Sequence, residues 1–583
     1  MQWNLDRNFK YVFGYIFVIS IFWSFVIGFT ISGNLSSAFF YIFLGGITAY
    51  FIFLELIKID LYVSLGEIIS VLLASLIFYF LLPSSSESLN TDQWYHFFSA
   101  YAPLELTLEK LPINSFIHNL SINLIFYLYS LFSLLLLFCL YLLYRKHQSV
   151  FFFLLAFASI VLIFSKFFLG ILDTASPHPE LRTLPLLLLG VFGISDASFK
   201  FINLLPLMVL VLYIYKVHFV NRLLFLMLIC FIFSFPLIFF NIAIIEFSIW
   251  LFSFNTIMLL EFSRYPEHGV PSKNIKILLA SLVLICLIRQ PAIFSFAPIL
   301  VYIFLYKRFS ELKFFMLCMV IPVIQLSQNL LIGNPALSQD ASYYNLLYSS
   351  FSLDTLVPIF VNIGPLLFLV IVSFFFSNTK NNLVLIIFLQ SYWLAFHLID
   401  PILWGMPRYL TEYIAPVVVI GVFLVMHKSF LLFCTILLSA LVLSSLEIKN
   451  NIDEINAKNT QEWFMKDSKN GIRKYHSQIG SPWQEAVSNI PDELLSRAIF
   501  EGFIFKTSAL LMSPRVSVSD YLSSKSLTEQ FFSKSINSNN SCKEILYNMD
   551  QASPLRIISH NELNNAEVYL DKRWGTKLWI KDC

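Results

Sequence analysis

The sequence predicts an all-α polytopic membrane protein with a small soluble domain at its C-terminal end. Of the 583 residues, 58% are hydrophobic and only 13% are charged, whereas an ordinary soluble domain carries about 25% charged residues. The apolar residues occur in runs of roughly 20, the length that crosses a bilayer as a helix. From Glu447 onward these runs stop, and Lys, Glu, Asp, Asn and Ser become frequent.

About 15 segments are long and apolar enough to be transmembrane helices. The first begins near Lys10 and lacks a cleavage site of small residues, so we expect a retained helix rather than a signal peptide. The two segments flanking Arg289 are the shortest and predict a broken or tilted pair. The predicted spans are 10–31, 36–57, 62–82, 120–144, 150–172, 199–216, 221–241, 242–262, 275–290, 291–306, 313–333, 355–376, 381–399, 409–426 and 429–446.

The basic residues between these spans predict the orientation of the chain. They concentrate in alternate loops, and the positive-inside rule assigns such loops to the cytoplasm together with the N-terminus. An odd number of spans then exports everything after Leu446. The basic loops carry Arg7, Lys10, Lys58, Arg145, Lys146, Lys216, Arg222, Arg264, Lys273, Lys276, Lys307, Arg308, Lys313, Lys380 and Lys428. We therefore expect a multi-pass protein of the inner or plasma membrane.

The chain divides into two predicted domains, a transmembrane domain over 1–446 and an exported soluble domain over 447–583. About 135 residues are enough for one small globular domain. Helical periodicity over Pro491–Phe505 and short strand patterns at Leu555–Ser559 and Glu567–Leu570 predict an α/β or mixed fold. Cys542 and Cys583 fall in this domain and have the opportunity to form a disulfide if it is exported.

Two long polar loops, 83–119 and 173–198, are predicted on the exported side. Loop 173–198 opens with Asp173 and continues through His178, Glu180 and Arg182 before the apolar pattern resumes. Ionisable groups at the mouth of a membrane bundle are costly and are usually functional. This loop is therefore the leading candidate for an active site at the boundary between lipid and water.

Loop 83–119 is a second candidate. It contains Asp92 within Asn-Thr-Asp-Gln-Trp-Tyr-His, followed by an amphipathic stretch from Phe97 to Lys110. Mixed aromatic and charged residues of this kind suit a helix that lies in the membrane interface. An alternative role for this stretch is an interfacial aromatic belt without chemistry.

Four motifs in order resemble the GT-C fold glycosyltransferases, most closely the polyprenyl-phosphate-sugar transferases related to protein mannosyltransferase and lipid A aminoarabinose transferase. The first is His178-Pro-Glu-Leu-Arg followed by Gly193-Ile-Ser-Asp. The second is Ser234-Phe-Pro with Glu246, and the third is the Arg289-Gln-Pro break. The fourth is Pro407-Arg-Tyr with a later proline. In this sequence Thr follows Asp173 where the family usually has Asp-Glu, and Arg289 stands where it has Lys.

The resemblance implies a transfer of a sugar from a polyprenyl-phosphate carrier to an acceptor on the exported face, with inversion at the anomeric carbon. A carboxylate would act as general base toward the acceptor. Asp173 fits this role, and Asp92 fits it in an alternative register of the family's helices, although the downstream motifs favour Asp173. The residues expected to contact the substrates are His178, Glu180, Arg182, Glu246, Arg289 and Arg408.

The three arginines are the cations that the departing phosphate would need. Arginine suits this task because its planar fork meets phosphate oxygens with two parallel hydrogen bonds. All three are predicted at the exported mouth, and the separate segments that carry them could converge there. They are Arg182, Arg289 and Arg408. Their alternative roles are pairing with Glu180 for Arg182, reaching the lipid headgroups for Arg289, and anchoring a helix end for Arg408.

The other candidates also have structural alternatives. Asp173 is suited to cap the next short helix, and His178 to form a turn between its two flanking prolines. Glu246 has the alternative of capping a helix or pairing inside the bundle. These alternatives stay open at the level of sequence.

Two other classes of function compete with a glycosyltransferase. A transporter or flippase for a lipid-linked saccharide would use the same charges to line a pathway, but its charges should lie near the midplane and its halves should repeat. A polymerase or ligase of cell-surface glycans would also use exported arginines and acidic loops. The order of the four motifs and the clustering of charges at one face favour the transferase.

The expected partners are the polyprenyl-phosphate-linked sugar donor, a lipid, glycan or protein acceptor, and membrane lipids. The net charge of +2 is uninformative about nucleic acid, but the sequence has no basic patch of the kind that binds nucleic acid, so no nucleic-acid partner is expected. The sequence has no Cys and His spacing typical of a metal site, so no metal ligand and no certain cofactor is assigned, while a divalent metal remains compatible with the chemistry.

Overall fold

The computed structural model describes the chain in segments. They are 196–218, 222–242, 247–268, 275–331, 364–376, 379–399, 407–426, 429–456, 498–500, 543–548, 567–571 and 576–582, together with Thr48, Phe51, Ile52, Glu55, Ile69 and Leu124. From 196 to 456 the described residues are helical or lie in short turns between helices. This agrees with the prediction of an all-α fold for this part of the chain.

Each predicted span from 199 onward is mostly helical where it is described, with breaks at Phe235, Ile242, Phe247 and Arg289. Short 3₁₀ helices at Gln290–Ser295, Phe309–Glu311 and Gly364–Leu367 lie among the α-helices. The α-helices are α1 Asp196–His218, α2 Arg222–Ser234, α3 Pro236–Asn241, α4 Ser248–His268, α5 Ile275–Ile288, α6 Phe296–Leu305, α7 Leu312–Leu331, α8 Phe368–Phe376, α9 Thr379–Ile399, α10 Pro407–Met426 and α11 Phe430–Asn456.

The structure corrects one predicted span and confirms one predicted break, both for reasons visible in the sequence. The predicted span 221–241 is two helices, because Phe235 precedes Pro236 and adopts an extended conformation, as residues before proline generally do. The predicted break around Arg289 is confirmed. There α5 ends, and Arg289 itself is extended before the 3₁₀ helix that contains Pro291.

Local residue choices account for several helix starts. Pro236 and Pro407 are the first residues of α3 and α10, where the missing N–H of proline costs nothing. At α11 the hydroxyl of Ser429 accepts a hydrogen bond from the amide of Leu432 at 3.3 Å, which caps the helix. These starts fix where each apolar run enters the bundle.

Helix α10 is the centre of the packed core. Its residues from Leu410 to Phe423 are all buried, and the helix packs against α4, α8, α3, α11 and α9. A helix that is apolar on every side is stable only when other helices or lipid surround it. The rest of the bundle is therefore arranged around α10.

Within the described residues, one helical stretch is both long and apolar enough to cross a membrane, namely Tyr409–Met426 in α10. Shorter apolar stretches of 10–17 residues lie in α1, α2, α4, α5, α6, α9 and α11. Buried core helices of other proteins pass the same test, so this finding concerns the length and composition of α10 only.

The described part of the C-terminal region contains a four-stranded sheet. Its strands are β1 Ala498–Phe500, β2 Lys543–Asn548, β3 Glu567–Asp571 and β4 Thr576–Asp582. Their order is β1-β2-β4-β3, with β1 parallel to β2 and the other pairs antiparallel.

The sheet tests two of the local predictions made for this region. The strand predicted at Glu567–Leu570 is confirmed as β3, and Leu555–Ser559 lies outside the described residues. The helix predicted over Pro491–Phe505 is wrong at Ala498–Phe500, because pairing with Lys543–Ile545 overrides the local periodicity. Helix α11 also continues past the predicted domain boundary at 446 to Asn456.

At Gly421, helix α10 lies close to the backbone of α8. A Cβ atom added there would lie 2.2 Å from the backbone carbonyl oxygen of Leu369, and backbone cannot move aside as a side chain can. Gly421→Ala would gain about 1 kcal/mol in helix propensity at an open position. Overpacking costs about 1–3 kcal/mol, so we expect a net loss of stability, measured as a lower Tm of the purified protein.

A control for this prediction is Thr435→Ala, at an exposed position of α11. It changes helix propensity without adding an atom against a neighbouring helix, so its Tm should stay close to that of the native protein. A higher Tm for Gly421→Ala would show that α8 and α10 do not approach each other this closely.

Candidate functional site

A buried ion pair joins the ends of three helices. The guanidinium of Arg289, just after α5, lies 2.6 Å from the carboxylate oxygen Oε1 of Glu412 in α10 (measured from Nη2). Nε of Arg289 donates a hydrogen bond to the same oxygen at 2.7 Å. The hydroxyl of Ser248, the first residue of α4, donates another hydrogen bond to this oxygen at 2.9 Å. Oε1 therefore accepts two hydrogen bonds from two other helix ends, with Nη2 of Arg289 also in ion-pair contact.

Burial makes this pair energetically demanding. The side chain of Glu412 is 0% exposed and that of Arg289 is 7% exposed. An isolated charge at such a place costs several kcal/mol, and only a close partner with further hydrogen bonds offsets that cost. The two residues are 123 positions apart in the chain, so their pairing depends on the fold rather than on local sequence.

The first turns of α10 contact the guanidinium in a second way. The ring of Tyr409 lies under Arg289, with Cζ 5.2 Å from the ring centroid, a distance that gives a cation–π attraction. Tyr409 and Glu412 are three residues apart and share one face of the helix. Arg289 is therefore contacted by two side chains of α10, and both lie within one turn of Arg408.

Asn255 links the same place to three more groups. Its Nδ2 donates to the backbone carbonyl of Glu412 at 2.8 Å and to the hydroxyl of Tyr392 at 3.0 Å. Its Oδ1 accepts from Ser295 at 2.7 Å, and the Ser295 and Tyr392 hydroxyls lie 2.8 Å apart. This network joins α4, α9, α10 and the end of the 3₁₀ helix.

Pro416 explains why the carbonyl of Glu412 is available to Asn255. In an α-helix that carbonyl would accept from the N–H of residue 416, and proline has none. A carbonyl without a donor in a dry core is costly, and the side chain of Asn255 supplies the donor. Asn255 lies two turns along α4 from Ser248. Helix α4 therefore contacts Glu412 twice, since Ser248 binds its carboxylate and Asn255 binds its backbone carbonyl.

A further contact brings α3 to the same end of the bundle. Asn241, the last residue of α3, donates to the hydroxyl of Thr411 at 2.9 Å across 170 positions of sequence. Thr411 in turn donates to the carbonyl of Leu237 at 3.1 Å. The ends of α3 and α5 and the starts of α4 and α10 therefore lie together.

The turn between α3 and α4 carries a strained backbone at Phe247. Its φ of 59° is in the left-handed region, which costs an L-residue other than glycine about 1–2 kcal/mol. The ring is fully buried and meets Trp250 edge-on with centroids 6.4 Å apart. Burial of this ring offsets the strain, and the resulting turn places Ser248 against Glu412.

No protein-family model, curated protein or solved structure matches this chain. The geometry of the described residues therefore carries the functional argument together with the motifs of the sequence.

Asp92, Asp173, His178, Glu180, Arg182 and Glu246 lie outside the described residues. Arg408 is the second residue of α10, one turn before Glu412. Arg289 is described in full and lies in the buried pair. Two of the predicted segments, those of Arg289 and Arg408, are thus in contact through Tyr409 and Glu412.

Sequence reasoning missed the partner of Arg289. Glu412 is an acidic residue inside an otherwise apolar predicted span, and that signal marks a functional candidate in a membrane helix. The same signal applies to Asn255 and Glu261 within the span predicted at 242–262. The identity of their partners depends on tertiary packing and is not readable from the sequence.

Glu261, in α4, is the other buried carboxylate among the described residues, thirteen residues or about 20 Å along the helix from Ser248. It is 4% exposed and accepts a hydrogen bond from the hydroxyl of Tyr213 in α1. Among the described residues, no group of three or more His, Cys, Asp or Glu side chains is arranged to hold a metal ion.

We predict that Asn255 and Pro416 are energetically coupled. Asn255→Leu leaves the Glu412 carbonyl without its donor, whereas Pro416→Ala supplies a backbone N–H one turn later. The cost of Asn255→Leu should therefore be smaller in the Pro416→Ala background, by about 1 kcal/mol. A double-mutant cycle on the free energy of unfolding measures this, and strict additivity would contradict it.

For the ion pair, we predict that each single replacement costs more stability than the double replacement. Removing one charge, as in Arg289→Met or Glu412→Leu, leaves the other buried alone and should cost about 3–5 kcal/mol. The double replacement should be closer to the native stability than either single one. Unfolding measurements on Glu311→Gln give the comparison. The Arg308–Glu311 pair joins side chains three positions apart that retain 17% and 13% exposure, so its loss should cost less than loss of the buried pair.

Proposed function

We propose that this chain is a multi-pass membrane glycosyltransferase that moves a sugar from a polyprenyl-phosphate carrier to an acceptor on the exported face. The observation that carries the proposal is the convergence of three motif-bearing segments. Helix α3 and the start of α4, the break at Arg289, and the start of α10 meet at one end of the bundle through Asn241, Ser248, Arg289 and Glu412. Three of the four motifs on which the resemblance to the GT-C transferases rests lie in these same segments.

The distribution of side chains supports a membrane setting. Large apolar side chains face outward, among them Leu431 at 79%, Leu438 at 62% and Val209 at 60% exposure. Polar groups such as Glu412 and Asn255 are fully buried. In water, apolar surface of this extent is a liability, whereas the hydrocarbon of a bilayer accepts it and disfavours unpaired polar groups.

The orientation proposed from the sequence is consistent with these contacts. The end of α5 and the starts of α4 and α10 are all assigned to the exported side by the positive-inside rule. The opposite ends carry basic groups such as Lys276, which pairs with Glu55 at 2.5 Å. A site built around Arg289 would therefore face the exported surface, where the carrier phosphate and the acceptor meet.

The proposed chemistry is a single inverting displacement. Asp173, or Asp92 in its place, takes the proton of the acceptor hydroxyl or amine, and the acceptor atom forms a bond to the anomeric carbon. The bond from that carbon to the carrier phosphate breaks, and the phosphate leaves with its electron pair. Preorganised cations stabilise the charge that develops on the phosphate oxygens.

The buried pair changes how the arginines share this task. A guanidinium in contact with a carboxylate carries no net charge with it, so the pair of Arg289 and Glu412 offers a phosphate oriented N–H groups rather than a free cation. Arg408, one turn before Glu412 on α10, and Arg182 supply the positive charge in this proposal. His178, Glu180 and Glu246 remain substrate contacts.

The test is a transfer assay with purified protein, a polyprenyl-phosphate-linked sugar and candidate acceptors. Asp173→Asn should reduce transfer by a factor of about 100 or more, the usual scale for losing a general base, and Asp92→Asn should leave most of it. The reverse result assigns the base to Asp92. Full transfer by both variants would reject a base at either position.

A second readout in the same preparation separates the transferase from a transporter. Proteoliposomes that move the lipid-linked sugar across the bilayer, but form no new glycosidic bond with any acceptor, would favour the flippase. Arg308→Gln, on the face assigned to the cytoplasm, is the control for a general effect of losing one charge.

A further inference from the structure

We infer that Glu412 is a positioning residue of this site, which holds Arg289 and the first turn of α10 in one fixed arrangement. The inference rests on the proposed function, because binding of a phosphate-bearing lipid can report the role of Glu412 only if the protein binds such a lipid. It goes beyond that function by giving a role to a residue that none of the four motifs specifies, and by predicting that its loss affects donor binding rather than the base.

The contacts of Glu412 are unusually concentrated. One oxygen of its carboxylate accepts from Ser248 and from Nε of Arg289, with Nη2 of Arg289 also in contact. A carboxylate oxygen has enough acceptor capacity for this, and its charge strengthens each bond. The ring of Tyr409, on the same face of α10, packs against the plane of the guanidinium and restricts its movement. Arg289 is therefore fixed in orientation as well as in place.

The helix itself is weakened at the same point. Pro416 removes the hydrogen bond that would tie the carbonyl of Glu412 to the following turn. The turns of α10 before the proline depend on lateral contacts, and Glu412 makes an ion pair and hydrogen bonds there. Ser248 and Asn255 of α4 and Arg289 after α5 are its partners.

The consequence concerns Arg408, which lies on that first turn. A phosphate contact by Arg408 requires the turn to keep its position against the break at Arg289. A displacement of about 1 Å at a binding group is enough to reduce activity about a hundredfold. Glu412 would thus act on the substrate through other residues and would not touch it.

A purely structural role makes a different prediction. If Glu412 only offsets the buried charge of Arg289, its replacement lowers the Tm, and the fraction that remains folded binds the donor normally. If it positions the site, the folded fraction binds the donor more weakly. The readout must therefore be affinity per folded molecule and not total activity.

The experiment compares two pairs of variants in nanodiscs. Glu412→Gln is matched by Glu261→Gln, which replaces another buried carboxylate about 20 Å along α4 from Ser248. Ser248→Ala keeps both charges and is the milder change if Glu412→Gln fails to fold. Its match is Ser263→Ala on the same helix, where the hydroxyl donates only to the carbonyl of Leu259 among the described residues.

Two readouts are taken on each variant. The first is the affinity for a polyprenyl monophosphate, followed by native mass spectrometry on the monodisperse fraction. The second does not depend on function. It is the labelling rate, by a water-soluble maleimide, of a cysteine introduced as Leu410→Cys, located by peptide mass spectrometry. Leu410 is fully buried in the first turn of α10, so labelling reports opening of that turn.

We expect Glu412→Gln and Ser248→Ala to weaken carrier binding about tenfold or more and to raise the labelling rate, while both matched controls leave the two readouts unchanged. If the native protein binds the carrier and all four variants bind it equally, the positioning role is wrong and the proposed function stands. If the native protein neither binds the carrier nor transfers sugar, the proposed function is wrong. In that case, an unchanged labelling rate at position 410 in Glu412→Gln and Ser248→Ala would also reject the role of Glu412. A raised rate would still support its role in holding the first turn of α10.

Discussion

The burial of one positive and one negative charge in an apolar bundle is the constraint on which the described structure depends. Arg289 and Glu412 occur in segments that are otherwise apolar, and neither is tolerated there alone. Each must meet the other, and the meeting fixes α5 against α10. Since a folded domain is stable by only about 5–15 kcal/mol, the 3–5 kcal/mol associated with an orphaned partner is a large share of the total. The packing of the surrounding helices follows from satisfying this pair.

The same constraint acts on the backbone. Pro416 leaves the carbonyl of Glu412 without its helical donor, in a core where water is not there to replace it. Helix α4 supplies Asn255 at 2.8 Å, and the amide of Asn255 is held in turn by Ser295 and Tyr392. A proline that would only bend an exposed helix thus sets the register between α4 and α10. Polar side chains act here as links between helices, since apolar packing alone does not specify register.

The sequence predicted those features that depend on local chemistry. Apolar runs gave the helices from α1 to α11, and the Arg289-Gln-Pro291 sequence gave the break between α5 and α6. The separation of α2 from α3 was missed, although Phe235 before Pro236 carries the signal for it. The strand at Ala498–Phe500 was read as helix, because its conformation is decided by pairing with residues more than forty positions later. Local periodicity contains no information about such a partner.

The site shows the same division between local and long-range information. The sequence identified Arg289 as a candidate, since a charge beside a proline break in an apolar run is recognisable without a structure. Glu412, Ser248 and Asn255 were not identified, because their significance lies in contacts across more than a hundred residues. The sequence also did not indicate that Arg289 is buried, with 6% of the residue exposed. Its burial follows from Glu412, whose presence in α10 removes the cost of taking the guanidinium out of water.

A paired arginine is a different chemical object from a free one, and this bears on how such a site would work in a membrane. A free guanidinium near lipid headgroups samples many positions and carries its hydration with it, so binding a phosphate requires both to be lost. A guanidinium held by a carboxylate, a ring and a helix end has already lost that freedom during folding. Groups fixed before the ligand arrives need little reorganisation when charge develops on it. Pairing with Glu412 neutralises the positive charge of Arg289. The same contact fixes the distance between the segments that carry Arg289 and Arg408.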